Sequence, residues 1–213
     1  MGRPACPSCV LFDFDGTLCD TEPAGIAQID AVLRSYGVVL SRDELISLAG
    51  HDDRVTIPPF LERAGVPQAI DDFLRDLAAC PNYYFNGPLE PMEGSVGFIE
   101  GLRGRGIACA VVSSSSSANV IMALNRMGML SLFDAIVCRE MAELPKPEPL
   151  LYRRALEFLG VTAASCVAFE DSPSGVAAAQ AAGIYTVGFR GSSIVQELPS
   201  ADETVSCWRE ARI

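Results

Sequence analysis

Short apolar segments alternate with segments of helical pattern from residue 89 to the end of the chain, and this alternation restricts the possible folds. The candidate strands are four apolar runs, at residues 107–112, 134–138, 166–170 and 185–189. Such continuous apolar runs are typical of strands that are buried on both faces of a parallel sheet. The pattern therefore predicts an α/β fold with a doubly wound parallel sheet, and residues 9–14 (CVLFDF) are predicted to form its first strand.

Residues 22 to about 86 have a different pattern, with helical spacing and no convincing strand. Apolar residues recur at three- and four-residue steps between Ile26 and Tyr36, and again between Ile70 and Leu77. This spacing predicts a small helical domain inserted after the first strand. The predicted division is a core domain of residues 1–20 and 88–213 and a helical domain of residues 21–87.

The charge and the hydropathy of the chain argue against several classes of partner. The net charge is -11, and an acidic surface repels both nucleic acid and anionic membranes. No apolar stretch approaches the roughly 20 residues of a membrane-spanning helix, and the first residues lack the apolar region of a signal peptide. We therefore expect a soluble, cytoplasmic protein, and we expect it to be a monomer.

The eight cysteines are scattered, and several lie inside apolar runs, which predicts buried free thiols. Cys6 and Cys9 have the CxxC spacing of some zinc and redox sites. Because no second CxxC or pair of histidines accompanies them, the sequence favours no metal or redox role for these two residues.

Polar residues collect where the predicted strands end, which is the edge at which open parallel sheets bind ligands. Seven residues belong to this set: Asp13, Asp15, Ser113, Ser114, Lys146, Glu170 and Asp171. Four carboxylates in one cleft repel one another unless a cation compensates their charge. Oxygen ligands without a nearby His or Cys favour Mg²⁺, and Mg²⁺ with a lysine and a hydroxyl would form a receptor for a phosphoryl group. A carboxylate such as Asp13 could then act as the nucleophile.

Four short motifs in this order resemble those of the haloacid dehalogenase superfamily of phosphohydrolases. They are DFDGTL (13–18), VVSS (111–114), KPEP (146–149) and FEDSPSG (169–175), and the resemblance spans the chain. The helical insert is similar to the cap domain of the branch that contains β-phosphoglucomutase. The resemblance implies a Rossmann-like core with a helical cap and an enzyme that uses Mg²⁺ and forms an aspartyl-phosphate.

The resemblance also implies roles for individual residues. Asp13 would be the nucleophile and Asp15 the acid/base. Ser113 and Lys146 would bind the phosphoryl oxygens. The Mg²⁺ ligands would be Asp13, the backbone carbonyl of Asp15, Glu170 and Asp171.

Several further residues are predicted to bind the substrate. Gly16 allows a sharp backbone turn at the phosphate, and we expect Thr17 and Ser114 to lie beside it. The loop LAGHDDRV (48–55) corresponds to one that reaches over the active site in this branch, so His51 and Arg54 are the candidates for substrate specificity, although both could be ordinary polar residues of a loop.

Less specific interpretations of the same residues remain open. The Asp15–Gly16 pair could form only a turn, and Lys146 could be a solvated loop residue. Glu170 and Asp171 could cap the following helix, and one of Ser116 and Ser117 is expected to do so for its own helix.

The sequence thus predicts a Mg²⁺-dependent phosphatase that acts on a small phosphorylated metabolite, with a sugar phosphate as the first candidate. A phosphomutase of the β-phosphoglucomutase type is the alternative, because it would use the same core. A receiver-like signalling domain with a phosphoacceptor aspartate is less favoured, since it would need no inserted cap.

Overall fold

The computed structural model describes residues 2–48 and 53–213 and contains one sheet of six parallel strands. The strands are β1 (Cys9–Phe12), β2 (Ala108–Val112), β3 (Ala135–Val137), β4 (Cys166–Glu170), β5 (Tyr185–Phe189) and β6 (Glu203–Val205). They are arranged in the order β3-β2-β1-β4-β5-β6. This order is that of a doubly wound α/β fold, so the predicted fold class is confirmed.

All five predicted strands are present. The structure differs from the prediction in two details, the end of β1 and the additional strand β6. β1 ends at Phe12, two residues before the predicted end, because the chain turns at Phe14. The edge strand β6 was not predicted. It has only three residues, one of which is exposed, so it lacks the apolar run that identifies an interior strand.

Four helices follow or precede the strands of the core. They are α7 (Ser95–Gly104), α8 (Ser117–Arg126), α9 (Leu150–Leu159) and α10 (Pro173–Ala181). Local sequence determines several of their ends. The Ser172 side chain caps α10, which has Pro173 in its first turn. Gly160, at a φ of 64°, ends α9 in the left-handed conformation that glycine adopts without strain.

The alternation of side chains along the strands separates the core into two faces. Cys9 and Leu11 of β1 pack with Cys166 and Ala168 of β4 in a cluster that includes residues of α9 and α10. Phe12 points to the opposite face, where it stacks on Phe169 at 5.7 Å between ring centroids. Trp208 and three further phenylalanines pack on that face: Phe98, Phe133 and Phe189. Residues two apart on one strand therefore lie on the same face of the sheet. The same alternation determines the face on which the acidic residues at the strand ends lie.

The chain divides into two compact units, Met1–Asp20 with Leu89–Ile213, and Thr21–Pro88. The described part of the second unit has helices and no strand. Its helices are α1 (Glu22–Ser35), α2 (Arg42–Ile46), α3 (Asp53–Thr56), α4 (Pro58–Arg63), α5 (Ile70–Ala79) and α6 (Tyr83–Asn86). Leu33, Ile57, Leu61 and Phe73 are fully buried in its own apolar core.

All eight cysteines are free thiols, as predicted, and five of them are buried. Cys9 lies inside β1, whereas Cys6 is exposed. Within residues 2–48 and 53–213, no helix combines the length and apolar character needed to cross a membrane.

Candidate active site

Asp13 and Glu170 extend the same face of two neighbouring strands. Asp13 continues the series Cys9 and Leu11 one residue beyond β1, and its backbone N–H donates to the carbonyl of Phe169 at 2.9 Å, which prolongs the ladder. Glu170 continues the series Cys166 and Ala168 at the end of β4, and β1 and β4 are paired in register. Both carboxylates therefore project to the side of the sheet that α9 covers.

Lys146 lies between these two carboxylates. Its Nζ donates to Asp13 Oδ1 at 2.6 Å, to Glu170 Oε1 at 2.6 Å and to the carbonyl of Val112 at 2.9 Å. The lysine side chain is only 3% exposed. The interpretation of Lys146 as a solvated loop residue is therefore wrong.

Burial and charge change the pKa of both Asp13 and Lys146. Burial raises the pKa of Asp13 well above its usual range; Lys146 opposes this shift, and the carboxylates of Glu170 and Asp15 add to it. Burial lowers the pKa of Lys146, but the carboxylates of Asp13 and Glu170 outweigh that effect and the pKa is raised. Lys146 thus remains a cation. A second cation beside Asp13 would favour the ionised form of Asp13.

Three carboxylates form a group that fits such a cation. Oxygen atoms of Asp13, Glu170 and Asp171 all lie within 4.8 Å of one another, and the three residues are buried. Glu170 Oε2 is buried and accepts no hydrogen bond from any described residue, while Oε1 of the same carboxylate accepts two. A buried carboxylate oxygen without a donor is costly, and a hard divalent cation such as Mg²⁺ would satisfy it. The Asp15 carboxylate is not part of this group.

Two glycines leave the space that these carboxylates occupy. A Cβ at Gly16, where φ is +82°, would lie 1.9 Å from Asp171 Oδ2. A Cβ at Gly175 would lie 1.9 Å from Glu170 Oε2. Glycine is required at both positions because an acidic side chain lies too close to the backbone for a Cβ. At Gly16 the positive φ also favours glycine.

Tyr152 is a member of the site that the sequence did not reveal. Its side chain is fully buried in α9, its hydroxyl donates to Glu170 Oε1, and the Lys146 ammonium lies 5.4 Å from its ring centroid. Burial raises the pKa of Tyr152 well above its usual value, and the Glu170 carboxylate adds to this shift, so the phenol keeps its proton. A tyrosine on the apolar face of a helix signals that its hydroxyl needs a partner, but not which one.

Asp15 is held by a second group of residues. After Phe14 the chain leaves the strand, since the backbone N–H groups of Leu18 and Cys19 both donate to the Phe14 carbonyl. The Asp15 carboxylate accepts a hydrogen bond from Ser115 Oγ at 2.6 Å and a longer one from Ser113 Oγ at 3.5 Å, both to Oδ2. The sequence identified Ser113 but not Ser115.

The other predicted substrate-binding residues are placed as follows. Thr17 is buried and its hydroxyl has no hydrogen-bond partner among the described residues, whereas Ser114 is exposed. Arg54 is an exposed residue of α3 in the helical unit, 3.6 Å from Asp71. His51 lies outside the described residues. The roles of these four residues in binding stay predictions.

The capping interpretations have separate outcomes. The Ser116 side chain accepts from the Asn119 N–H and caps α8, so this expectation is confirmed. The cap of α10 is Ser172 and not Glu170 or Asp171, so the interpretation of the acidic pair as helix caps is wrong.

The sequence matches the family of haloacid dehalogenase-like hydrolases over residues 10–189. It is 30% identical to the phosphorylated carbohydrates phosphatase of Thermotoga maritima over 178 residues. This aligned region covers 84% of this chain and 82% of that protein. The structure of CbbY from Rhodobacter sphaeroides in complex with phosphate is similar with a TM-score of 0.76 and 28% identity, over 96% of each chain. That of a putative β-phosphoglucomutase from Thermotoga maritima has a TM-score of 0.71 and 28% identity, over 93% of this chain and 94% of the other. The chain therefore belongs to the haloacid dehalogenase-like hydrolase family, and it is a hydrolase.

Proposed function

We propose that the protein is a Mg²⁺-dependent phosphatase that hydrolyses a small phosphate monoester through an aspartyl-phosphate on Asp13. The observation that carries this proposal is the contact of Lys146 Nζ with Asp13 Oδ1, at 2.6 Å, inside a group of three buried carboxylates. That contact favours the anionic form of Asp13, which is the form that can attack phosphorus.

The reaction proceeds in two displacements. A carboxylate oxygen of Asp13 forms a bond to phosphorus while the ester P–O bond breaks, and Asp15 gives its proton to the departing ester oxygen. Asp15, now ionised, then takes a proton from a water molecule as the water oxygen bonds to phosphorus. The bond between Asp13 and phosphorus breaks in this second step, which releases inorganic phosphate and regenerates both aspartates.

Phosphoryl transfer depends chiefly on positioning and on charge stabilisation. Lys146 supplies a positive charge beside the phosphoryl oxygens and screens Asp13, and the Ser113 hydroxyl donates to one of those oxygens. Mg²⁺, held by Asp13, Glu170, Asp171 and the backbone carbonyl of Asp15, would neutralise negative charge on the phosphoryl group when bound.

The proposed substrate class is the sugar phosphates. The relative from Thermotoga maritima that is 30% identical to this chain is a phosphatase of phosphorylated carbohydrates by name. The helical domain of residues 21–87 would act as a cap that admits the substrate and excludes water, with His51 and Arg54 as the proposed contributors to specificity.

A panel of sugar phosphates and other phosphate monoesters, assayed for inorganic phosphate with Mg²⁺, tests this proposal. We expect turnover that chelation of divalent ions abolishes and that Mg²⁺ restores. Asp13→Asn is expected to bind phosphate esters without turnover. Glu157→Gln removes an exposed carboxylate from α9 and is the control for loss of charge alone. Wild-type rates in Asp13→Asn, or full activity after chelation, would contradict the mechanism.

A phosphomutase is the second candidate, because the chain is also similar to the putative β-phosphoglucomutase of Thermotoga maritima. A mutase returns the phosphoryl group from Asp13 to a sugar instead of to water. Its products would be isomeric sugar phosphates with little free phosphate, so the ratio of the two products distinguishes the candidates.

A further inference from the structure

Ser115 makes a short contact with Asp15 that the proposed mechanism does not yet use. Its hydroxyl donates to Asp15 Oδ2 at 2.6 Å, compared with 3.5 Å for the Ser113 hydroxyl to the same oxygen. The Ser115 backbone is itself fixed, because its N–H donates to Ser113 Oγ at 2.9 Å and its carbonyl accepts from the Arg139 N–H at 3.2 Å.

Two neighbouring serines, Ser113 and Ser116, supply side-chain hydrogen bonds to the turn and to α8. Ser113 accepts the backbone N–H of the turn, and Ser116 caps α8 through the Asn119 N–H. The caps that the turn and the helix need are therefore supplied by other side chains. Ser116, and not Ser115, is the N-cap of α8.

The orientation of an aspartate carboxyl group needs an external constraint. Its terminal torsion has a broad, roughly two-fold preference, so the side chain alone does not decide which oxygen faces a given direction. The hydrogen bond between the Ser115 hydroxyl and Oδ2 fixes this torsion and so distinguishes the two oxygens.

We infer that Ser115 is a positioning residue that orients the Asp15 carboxyl group for proton transfer. This inference rests on the proposed function, in which Asp15 protonates the ester oxygen when the P–O bond breaks and later takes a proton from water. Ser115 enters neither bond-making step. Its hydroxyl fixes the orientation of the Asp15 carboxyl group through the contact with Oδ2.

The dependence of the rate on the leaving group tests this role. An alkyl phosphate needs a proton on its departing oxygen, whereas p-nitrophenyl phosphate departs as a stable phenolate and needs little assistance. In Ser115→Ala we expect kcat/KM for an alkyl sugar phosphate to fall by about tenfold or more, and kcat/KM for p-nitrophenyl phosphate to change by less than about twofold. Ser115→Thr keeps the hydroxyl and should restore most of the loss.

Two reference variants make the result decisive. Ser116→Ala removes the helix cap of the same loop, so it should change kcat/KM for both substrates by the same factor. Asp15→Asn removes the proposed proton carrier and should show a leaving-group dependence at least as strong as that of Ser115→Ala.

Two outcomes would overturn the inference. If Asp15→Asn discriminates between the two esters and Ser115→Ala, folded by circular dichroism, does not, the positioning role is wrong and the proposed function stands. If Asp15→Asn hydrolyses the alkyl ester at the wild-type rate, the assignment of Asp15 as the acid fails, and the inference fails with it.

Discussion

Replacing Gly175 by alanine tests how closely the acidic group is packed. Gly175 lies in α10, where alanine is ordinarily favoured over glycine by about 1 kcal/mol. Here the added Cβ would lie 1.9 Å from Glu170 Oε2 and 2.2 Å from its Cδ. Since ordinary contacts between such atoms begin near 3.4 Å, the carboxylate has to move by about 1.5 Å.

The expected cost follows from the contacts that this movement breaks. Glu170 is fully buried and is held by Lys146 at 2.6 Å and by the Tyr152 hydroxyl. Breaking a buried ion pair costs about 3–5 kcal/mol, and the gain in helix propensity offsets about 1 kcal/mol of it. We expect the free energy of unfolding to fall by about 2–4 kcal/mol, and kcat/KM to fall by about 100-fold because a proposed metal ligand is displaced by more than 1 Å.

Urea unfolding, followed without and with Mg²⁺, and steady-state hydrolysis measure these two effects. Gly97→Ala is the matched control, since Gly97 lies in α7 and its added Cβ would meet nothing within 4 Å. That variant should be more stable than the wild type by about 0.5–1 kcal/mol and fully active. If Gly175→Ala behaves like Gly97→Ala, the close approach of Glu170 to α10 is wrong.

The remaining predictions concern the partners of the buried carboxylates and one exposed carboxyl group. Tyr152→Phe removes the hydroxyl that holds Glu170 and should weaken Mn²⁺ binding, measured by calorimetry, by about 10-fold or more; unchanged affinity would contradict this role. Lys146→Met leaves two buried carboxylates without their cation and should lower the free energy of unfolding in urea by about 3–5 kcal/mol, with partial recovery in Mg²⁺; an equally large loss in Mg²⁺ would count against the metal site. The hydrogen bond from Arg63 lowers the pKa of Glu44 to about 2, so the stabilisation is present above the ordinary carboxyl pKa and is lost as the pH falls through about 2. The carboxyl resonance of Glu44 should titrate there in NMR spectra, and a midpoint near its ordinary value of about 4.3 would refute the contact.

The sequence predicted the acidic group because parallel strands bring their carboxyl ends to one edge of the sheet. Asp13 and Glu170 each follow an apolar run, and alternation along a strand places them on the same face as Leu11 and Ala168. Lys146 could be added by motif, although it is 133 residues away from Asp13 in the chain.

The sequence did not predict Ser115 or Tyr152, and the reason is the same for both. Five consecutive serines have the same local preferences, so only the backbone path of the turn selects which hydroxyl reaches Asp15. Tyr152 occupies an apolar position of α9, and its partner Glu170 is 18 residues away on a strand. Local pattern identifies a side chain that needs a partner, but packing supplies it.

The sequence by itself determined the class of fold and the carboxylates that collect at the sheet edge, because period, charge and order along the chain encode them. The tertiary structure alone decided that Lys146 Nζ lies between Asp13 and Glu170, that Ser115 contacts Asp15, and that Gly175 leaves the space for Glu170. The contacts of Lys146 and Ser115 join groups that are 24 to 133 residues apart in the chain, and the space at Gly175 depends on how α10 packs against the end of β4, so no local preference decides them.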